Sequence, residues 1–367
     1  DGRIWHDYRI KNPTPMSRVF GPLARYRLYE AKDNNRNWEL DFDRPNQAAW
    51  DYVCEHYRQI QSEYNFDFMR GDMSHVQMRP DGVPKHPGAH YDLLAAVKQT
   101  VLKEKPYFAY FAESFLAAPN VMAYGDECEH LEAALADSTL GDLQSEPVGT
   151  TAFVKTFHQY RAWLDSRRFA PNFTLFTGDK DDPRFDRFYL DGNEIRHFLA
   201  LFLTDMPSYM GLGFECRDPH PKPAPNEFYT KLYVFQMPDG PKGTRGPYRW
   251  GNNRVLYENL ARQRIFADHI WPAIADAPVQ WLIPPDSGGR AKMLAWTQTK
   301  QPEYVFVANL NTKRGRRQFS VPLPEGQWRL QFSTHTTHPG AHTWSGPQGL
   351  LHQIGAGEGL IFARLFG

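Results

Sequence analysis

The sequence predicts an α/β protein on parallel strands, followed by a small all-β domain, and two patterns carry that reading. Over residues 45–275, short aromatic or apolar runs alternate with stretches of helical periodicity, the order that builds a parallel sheet or barrel. From Val279 onward the helical period disappears. Segments such as Tyr304-Val305-Phe306-Val307-Ala308-Asn309 and Gln327-Trp328-Arg329-Leu330-Gln331-Phe332 are then separated by Gly, Pro and Asn turns.

Residues 1–45 are rich in Pro, Asn and Arg without a sustained period and read as a loop-dominated excursion. Residues 45–64 read as a helix whose apolar stripe is Ala48, Ala49, Tyr52, Val53, His56, Tyr57 and Ile60. A strand leads into Asp72, and residues 91–103 form the next helix. Another strand leads into Glu113, a short strand falls within residues 131–143, and residues 151–167 are helical. A strand over 173–178, a helix over 193–203 and a strand or turn over 206–213 complete the alternation. A Pro-rich loop spans 219–250 before an amphipathic stretch at 255–269. The expected division is an excursion at 1–45, an α/β barrel at 46–275 and a β domain at 276–367.

Three of the strands end in acid. Phe66-Asp67-Phe68-Met69-Arg70-Gly71-Asp72, Tyr107-Phe108-Ala109-Tyr110-Phe111-Ala112-Glu113 and residues 173–184 each begin as an apolar run of the kind buried on both faces. Each finishes on a carboxylate where the chain turns polar. In a parallel barrel, catalytic groups sit at the carboxyl ends of several strands, so these acids are expected around one pocket. Arg70 lies two residues before Asp72 on an alternating strand and is expected on the same side, keeping that acid ionised.

Composition narrows the ligand. Forty-two basic and forty-two acidic residues cancel, which argues against a nucleic-acid or anionic-membrane partner held by bulk charge. Aromatic residues make up 14 %, including ten Trp and eighteen Tyr, enough for a core and for faces that stack on sugar rings. No apolar run approaches the roughly 20 residues that span a bilayer. Cys54, Cys128 and Cys216 are odd in number and widely spaced, the usage of a reducing compartment such as the cytoplasm rather than of a disulfide framework.

At these residues the chain resembles a known family. Arg70-Gly71-Asp72 is similar to the Arg-x-Asp strand of the α-amylase superfamily, glycoside hydrolase family 13. Ala112-Glu113 resembles its general-acid strand. Asp181-Asp182-Pro183-Arg184, preceded by Phe176, resembles its Phe-x-x-Asn-His-Asp-x-x-Arg segment, and the run from Met206 to Glu215 resembles its eighth-strand Pro-x-x-Tyr-x-Gly-x-Glu pattern. The four occur in the family's order. The resemblance implies a (β/α)8 TIM-type barrel followed by a small β sandwich, and retaining cleavage of α-glucosidic bonds in oligo- or polysaccharides. It further implies Asp72 as nucleophile, Glu113 as acid and base, and Asp181 as the carboxylate that steadies the oxocarbenium-like transition state. Arg70, His75, Asp179, Lys180, Arg184, Tyr248 and Trp250 are the expected substrate contacts.

The chain also departs from the pattern. Asp179 and Lys180 replace the usual Asn-His, which makes Asp179 the alternative to Asp181; the Phe five residues before and the Arg three residues after favour Asp181. Lys180 is expected to meet one of these carboxylates. Asp-Met-Ser-His after Gly71 and Asp-x-Pro-Arg resemble the family's maltosyltransferase branch, so transfer to a sugar stands beside hydrolysis. A catalytically inactive, carbohydrate- or partner-binding relative is the third reading. The resemblance brings no cofactor, and although family members often hold a calcium near the third strand, no residue is assigned to a metal. The family's first three barrel strands should precede Asp72 by well over one hundred residues, and 71 are present. A five-stranded remainder has open edges, so a second polypeptide segment carrying the missing strands is expected as a partner.

Overall fold

The computed structural model describes residues 28–32, 40–71, 86–115, 135–140, 146–166, 172–173, 192–205, 235–236, 249–250, 254–298, 302–340, 343–347, 349–351 and 353–366. The chain divides into two compact units, residues 1–140 with 163–172, and residues 141–162 with 173–367.

The first unit opens with order where the composition promised only loop. Strands β1 (Tyr29–Ala31) and β2 (Leu40–Pro45) pair antiparallel. The reason is a small apolar nucleus: Leu28, Tyr29 and Trp50 are buried together, and Trp50 Nε1 donates to the Leu28 carbonyl at 2.9 Å. Tyr29 also donates its hydroxyl to the His90 carbonyl. Helix α1 (Gln47–Tyr64) starts at Asn46, whose side chain accepts from the Ala49 amide, and stops at Asn65 in the left-handed conformation, φ 54°. Its buried positions are Trp50 and Gln61, with Val53 and Cys54 half-buried between them. Tyr52 and Tyr57, expected on the core stripe, are 70 % and 50 % exposed. Trp50, the largest apolar side chain in the helix, sets the stripe, and it lies outside the predicted one.

Strands β3 (Phe68–Gly71), β4 (Ala109–Phe115) and β5 (Ser138–Leu140) form a parallel sheet in that order, with helix α2 (Leu93–Leu102) between the first two in sequence. A fourth short strand, β6 (Asn172–Phe173), begins at Asn172. Tyr110 and Ala112 are fully buried with Ala136, and Met69 and Leu94 pack against them. The expectation of burial on both faces fails for β3. Phe68 is 54 % exposed, so one face of this strand is open while Gly71 is buried on the other.

The second unit carries helices α3 (Thr151–Ser166, through Ala162), α4 (Asn193–Phe202) and α5 (Arg254–Ile274). Within the predicted loop, β7 (Phe235–Gln236) and β8 (Arg249–Trp250) pair antiparallel. Eight further strands follow: β9 (Val279–Ile283), β10 (Met293–Gln298), β11 (Tyr304–Asn309), β12 (Phe319–Val321), β13 (Gln327–Ser333), β14 (Thr343–Ser345), β15 (Gly349–Leu351) and β16 (Gly359–Leu365). Six of them form one antiparallel sheet in the order β14-β13-β16-β11-β10-β9, and β12 pairs with β15.

This six-stranded sheet is buried on both faces. Met293, Ala295, Val305, Val307, Trp328 and Phe362 meet Val321 and Leu323 from the β12 side. On the opposite face Trp296 and Phe306 stack at 5.5 Å, Phe202 of α4 stacks on Phe306 at 5.4 Å, and Trp296 Nε1 donates to the Phe202 carbonyl. Gly359 sits where a Cβ would come within 2.6 Å of the Phe198 ring, so helix and sheet touch directly there. Deep in α4 and α5, His197 and Gln263 are buried, and neither ring nitrogen of His197 nor either amide atom of Gln263 has a hydrogen-bond partner among the described residues.

Candidate active site

The carboxyl ends of β3 and β4 are in register. Phe68, Met69, Arg70 and Gly71 lie opposite Ala109, Tyr110, Phe111 and Ala112, all parallel. The next residue on β4 is Glu113, and the peptide bond from Gly71 leads to Asp72. Glu113 also falls in an irregularity of β4. Ala112 pairs with Thr139 and Phe115 with Leu140, so two residues, Glu113 and Ser114, are extra relative to β5. Such bulges bend the strand and re-aim its side chains, and they recur beside active sites.

Gly71 explains how β3 reaches this level. A Cβ there would lie 2.4 Å from Leu94 Cδ1 and 2.8 Å from the Tyr110 ring, so the strand end is packed too tightly for any side chain. Tyr110 belongs to the core, and Phe111 is half-buried.

Polar contacts tie the sheet together beneath that end. Lys98, nearly buried on α2, is bonded to Asp137 Oδ2 at 2.7 Å and to the Leu135 carbonyl at 2.8 Å, and the same Asp137 oxygen accepts from the Tyr110 amide at 2.6 Å. One carboxylate thus joins α2, β4 and the entry to β5. Lys105 bridges Asp67 at 2.7 Å and Asn65 Oδ1 at 2.9 Å, and the Asp67 carboxylate, with the nearby Tyr107, raises the Lys105 ammonium above the ordinary lysine range against a desolvation cost. These supports were not singled out from sequence. Nothing in the local pattern around Lys98 or Asp137 announces that they meet.

Of the predicted site residues, Arg70 occupies the third position of β3 and its side chain is exposed. Glu113 lies in β4 and Trp250 in β8. Asp72, His75, Asp179, Lys180, Asp181, Arg184 and Tyr248 lie outside the described residues. Among the described residues no group of three or more His, Cys, Asp or Glu is arranged to hold a metal ion, and no helix is long and apolar enough to cross a membrane.

Comparison with solved structures bears on the whole arrangement. Amy13B of Eubacterium rectale superposes over 91 % of this chain and 67 % of its own, with a TM-score of 0.56 at 12 % identity. An Anoxybacillus α-amylase superposes over 95 % and 73 %, with a TM-score of 0.54 at 14 % identity. The chain shares its fold with these proteins. A cyclomaltodextrinase gives a TM-score of 0.52 at 12 % identity, and there the chain spans about half of the other protein, 49 %. No family model matches the sequence, and no curated protein matches it. At such identities the likeness establishes an α-amylase-type fold and leaves the chemistry to the residues.

Proposed function

We propose that this protein cleaves α-glucosidic bonds in α-glucans or maltooligosaccharides with retention of configuration. The observation that carries the reading is the register of β3 and β4, in which Gly71 faces Ala112, the residues that immediately precede the two candidate carboxylates in the chain. Adjacent strands lie about 4.8 Å apart. A retaining pair needs carboxyl groups about 5–5.5 Å apart. In this reading Asp72 attacks the anomeric carbon while Glu113 protonates the leaving oxygen; Glu113 then deprotonates the incoming acceptor, which displaces Asp72. Asp181 supports the developing positive charge.

The fold likeness to an α-amylase and a cyclomaltodextrinase supports the substrate class, and in this reading β3 to β6 belong to a (β/α)8 barrel. β3 stands at the end of the described sheet, and its outer edge is the place for a further strand supplied by another polypeptide segment. Water is the proposed acceptor. Chromatography of the products of maltoheptaose tests this: glucose, maltose and other short fragments are expected, products longer than maltoheptaose would assign transfer, and unchanged maltoheptaose would overturn the proposal.

A further inference from the structure

A second place on the molecule has the makeup of a sugar site. Between α4 and α5 lies a groove of about 200 Å³ lined by Leu201, Thr204, Arg264, Ala267, Asp268 and Trp271, among others. Four of these sit at positions 264, 267, 268 and 271 of α5, one stripe of the helix at i, i+3, i+4 and i+7. The same helix buries Leu260, Gln263, Ala267, Ile270 and Ile274, so Ala267 belongs to both stripes while Trp271 falls just outside the buried one and stays 45 % exposed.

Charge on the groove is balanced. Arg264 Nε donates to Asp268 Oδ1 at 3.1 Å, and both side chains are more than half exposed. The pair offers several N–H donors beside carboxylate acceptors with no net charge, and Thr204 adds a hydroxyl. An anion or a cation would meet one partner of the wrong sign. A neutral polyol, whose hydroxyls donate and accept, matches the set, and the half-exposed indole gives a rigid apolar face for a sugar ring.

We propose that this groove is an accessory binding site for a glucose unit of an α-glucan, built by Trp271 as the stacking platform and the Arg264–Asp268 pair as the hydroxyl-binding edge. It rests on the α-glucan reading for the identity of the sugar but on separate residues. Because its residues are not those of the catalytic reading, it is expected to raise affinity for glucan and to leave turnover of a short substrate unchanged.

The experiment is calorimetric titration of the full-length Asp72→Asn protein with maltoheptaose, repeated with Trp271→Ala and with Asp268→Ala added. Each addition is expected to weaken or remove one class of binding by about tenfold or more. Turnover of a short chromogenic maltoside by Trp271→Ala in the otherwise native chain is expected to match the parent. Identical titrations with and without Trp271, or no binding at all, would overturn the accessory site, even in a protein that cleaves α-glucan. Trp271-dependent binding in a protein that cleaves no glucan would overturn the proposed activity and leave the site standing.

Discussion

Gly71 of β3 lies opposite Ala112 of β4 in a parallel register, with the ring of Tyr110 closing off the space beside Gly71. Both residues owe their small size to the same cluster, which is closed by Tyr110, Ala136, Met69 and Leu94. The strand ends that deliver the two candidate acids are therefore fixed by packing below them.

Gly71→Ala is expected to destabilise the protein by about 1–3 kcal/mol, the usual range for a group forced into a filled core. The Leu94 methyl can swing aside, whereas Tyr110 is fully buried and cannot. Leu94→Ala added to Gly71→Ala should thus recover only part of the loss in melting temperature. Equal stability of Gly71→Ala and the parent in thermal unfolding would show that this contact is loose.

Asp137→Ala should cost about 2–3 kcal/mol, because it leaves the Lys98 ammonium with the Leu135 carbonyl alone and the Tyr110 amide without its acceptor. The figure is held below that of a fully buried pair since the Asp137 side chain is 45 % exposed. Urea unfolding measures it. Asp137→Asn, which keeps an acceptor for the amide, should fall between the two.

How far the fold was legible follows from the same residues. Alternating apolar runs mark β3, β4, α2 and α5 because burial repeats on one face at the period of the element. Sequence reading located the strands β3 and β4, with Glu113 on the second, and it failed where the decisive partner is distant in the chain. The β1–β2 hairpin depends on Trp50, twenty-one residues from Tyr29, and the polar residues around it hide the pairing. On α1 a single Trp outweighs two Tyr. Phe68 looked like a core residue because its neighbours are apolar, yet position on a strand says nothing about which face another layer covers. The irregularity at Glu113 has no sequence signature at all, since it arises from the register of β5. The expected contacts of Lys180 with Asp179 or Asp181 fall outside the described residues.

His197 gives a pH dependence with a definite sign. Burial, with the Arg264 charge adding to it, pushes this imidazole from 6.5 down to about 4, and the Leu260 backbone opposes them without the geometry of a hydrogen bond. The unfolded chain therefore takes up the proton first. Stability from this group is present above about pH 6.5 and is lost as pH falls toward 4, by roughly 1.4 kcal/mol per pH unit and about 3 kcal/mol in all. His197→Gln removes the titration. The difference in urea-unfolding free energy between parent and variant should shift against the parent by about 2–3 kcal/mol from pH 7.5 to 4.5. A constant difference would mean that the histidine is solvated in the native protein.

Glu113→Gln is expected to lower turnover of unactivated maltooligosaccharides by at least about a thousandfold, since protonation of the leaving oxygen is lost. A sugar with a fluoride leaving group needs no such proton, so its first step should survive. The fluoride released in the first turnover, followed in the pre-steady state, checks the split. Loss of that first-turnover release together with the turnover of maltooligosaccharides would remove Glu113 from the role of acid.

That split permits the most direct test of the central claim. The Glu113→Gln protein is incubated with α-maltosyl fluoride, digested, and its peptides are weighed by mass spectrometry. The account predicts a maltosyl ester on the peptide containing Asp72, formed as the fluoride leaves and held because no base activates the acceptor. A maltosyl group on Asp179, Asp181 or another residue would contradict it, as would an unmodified Asp72 peptide from protein that still consumes the fluoride.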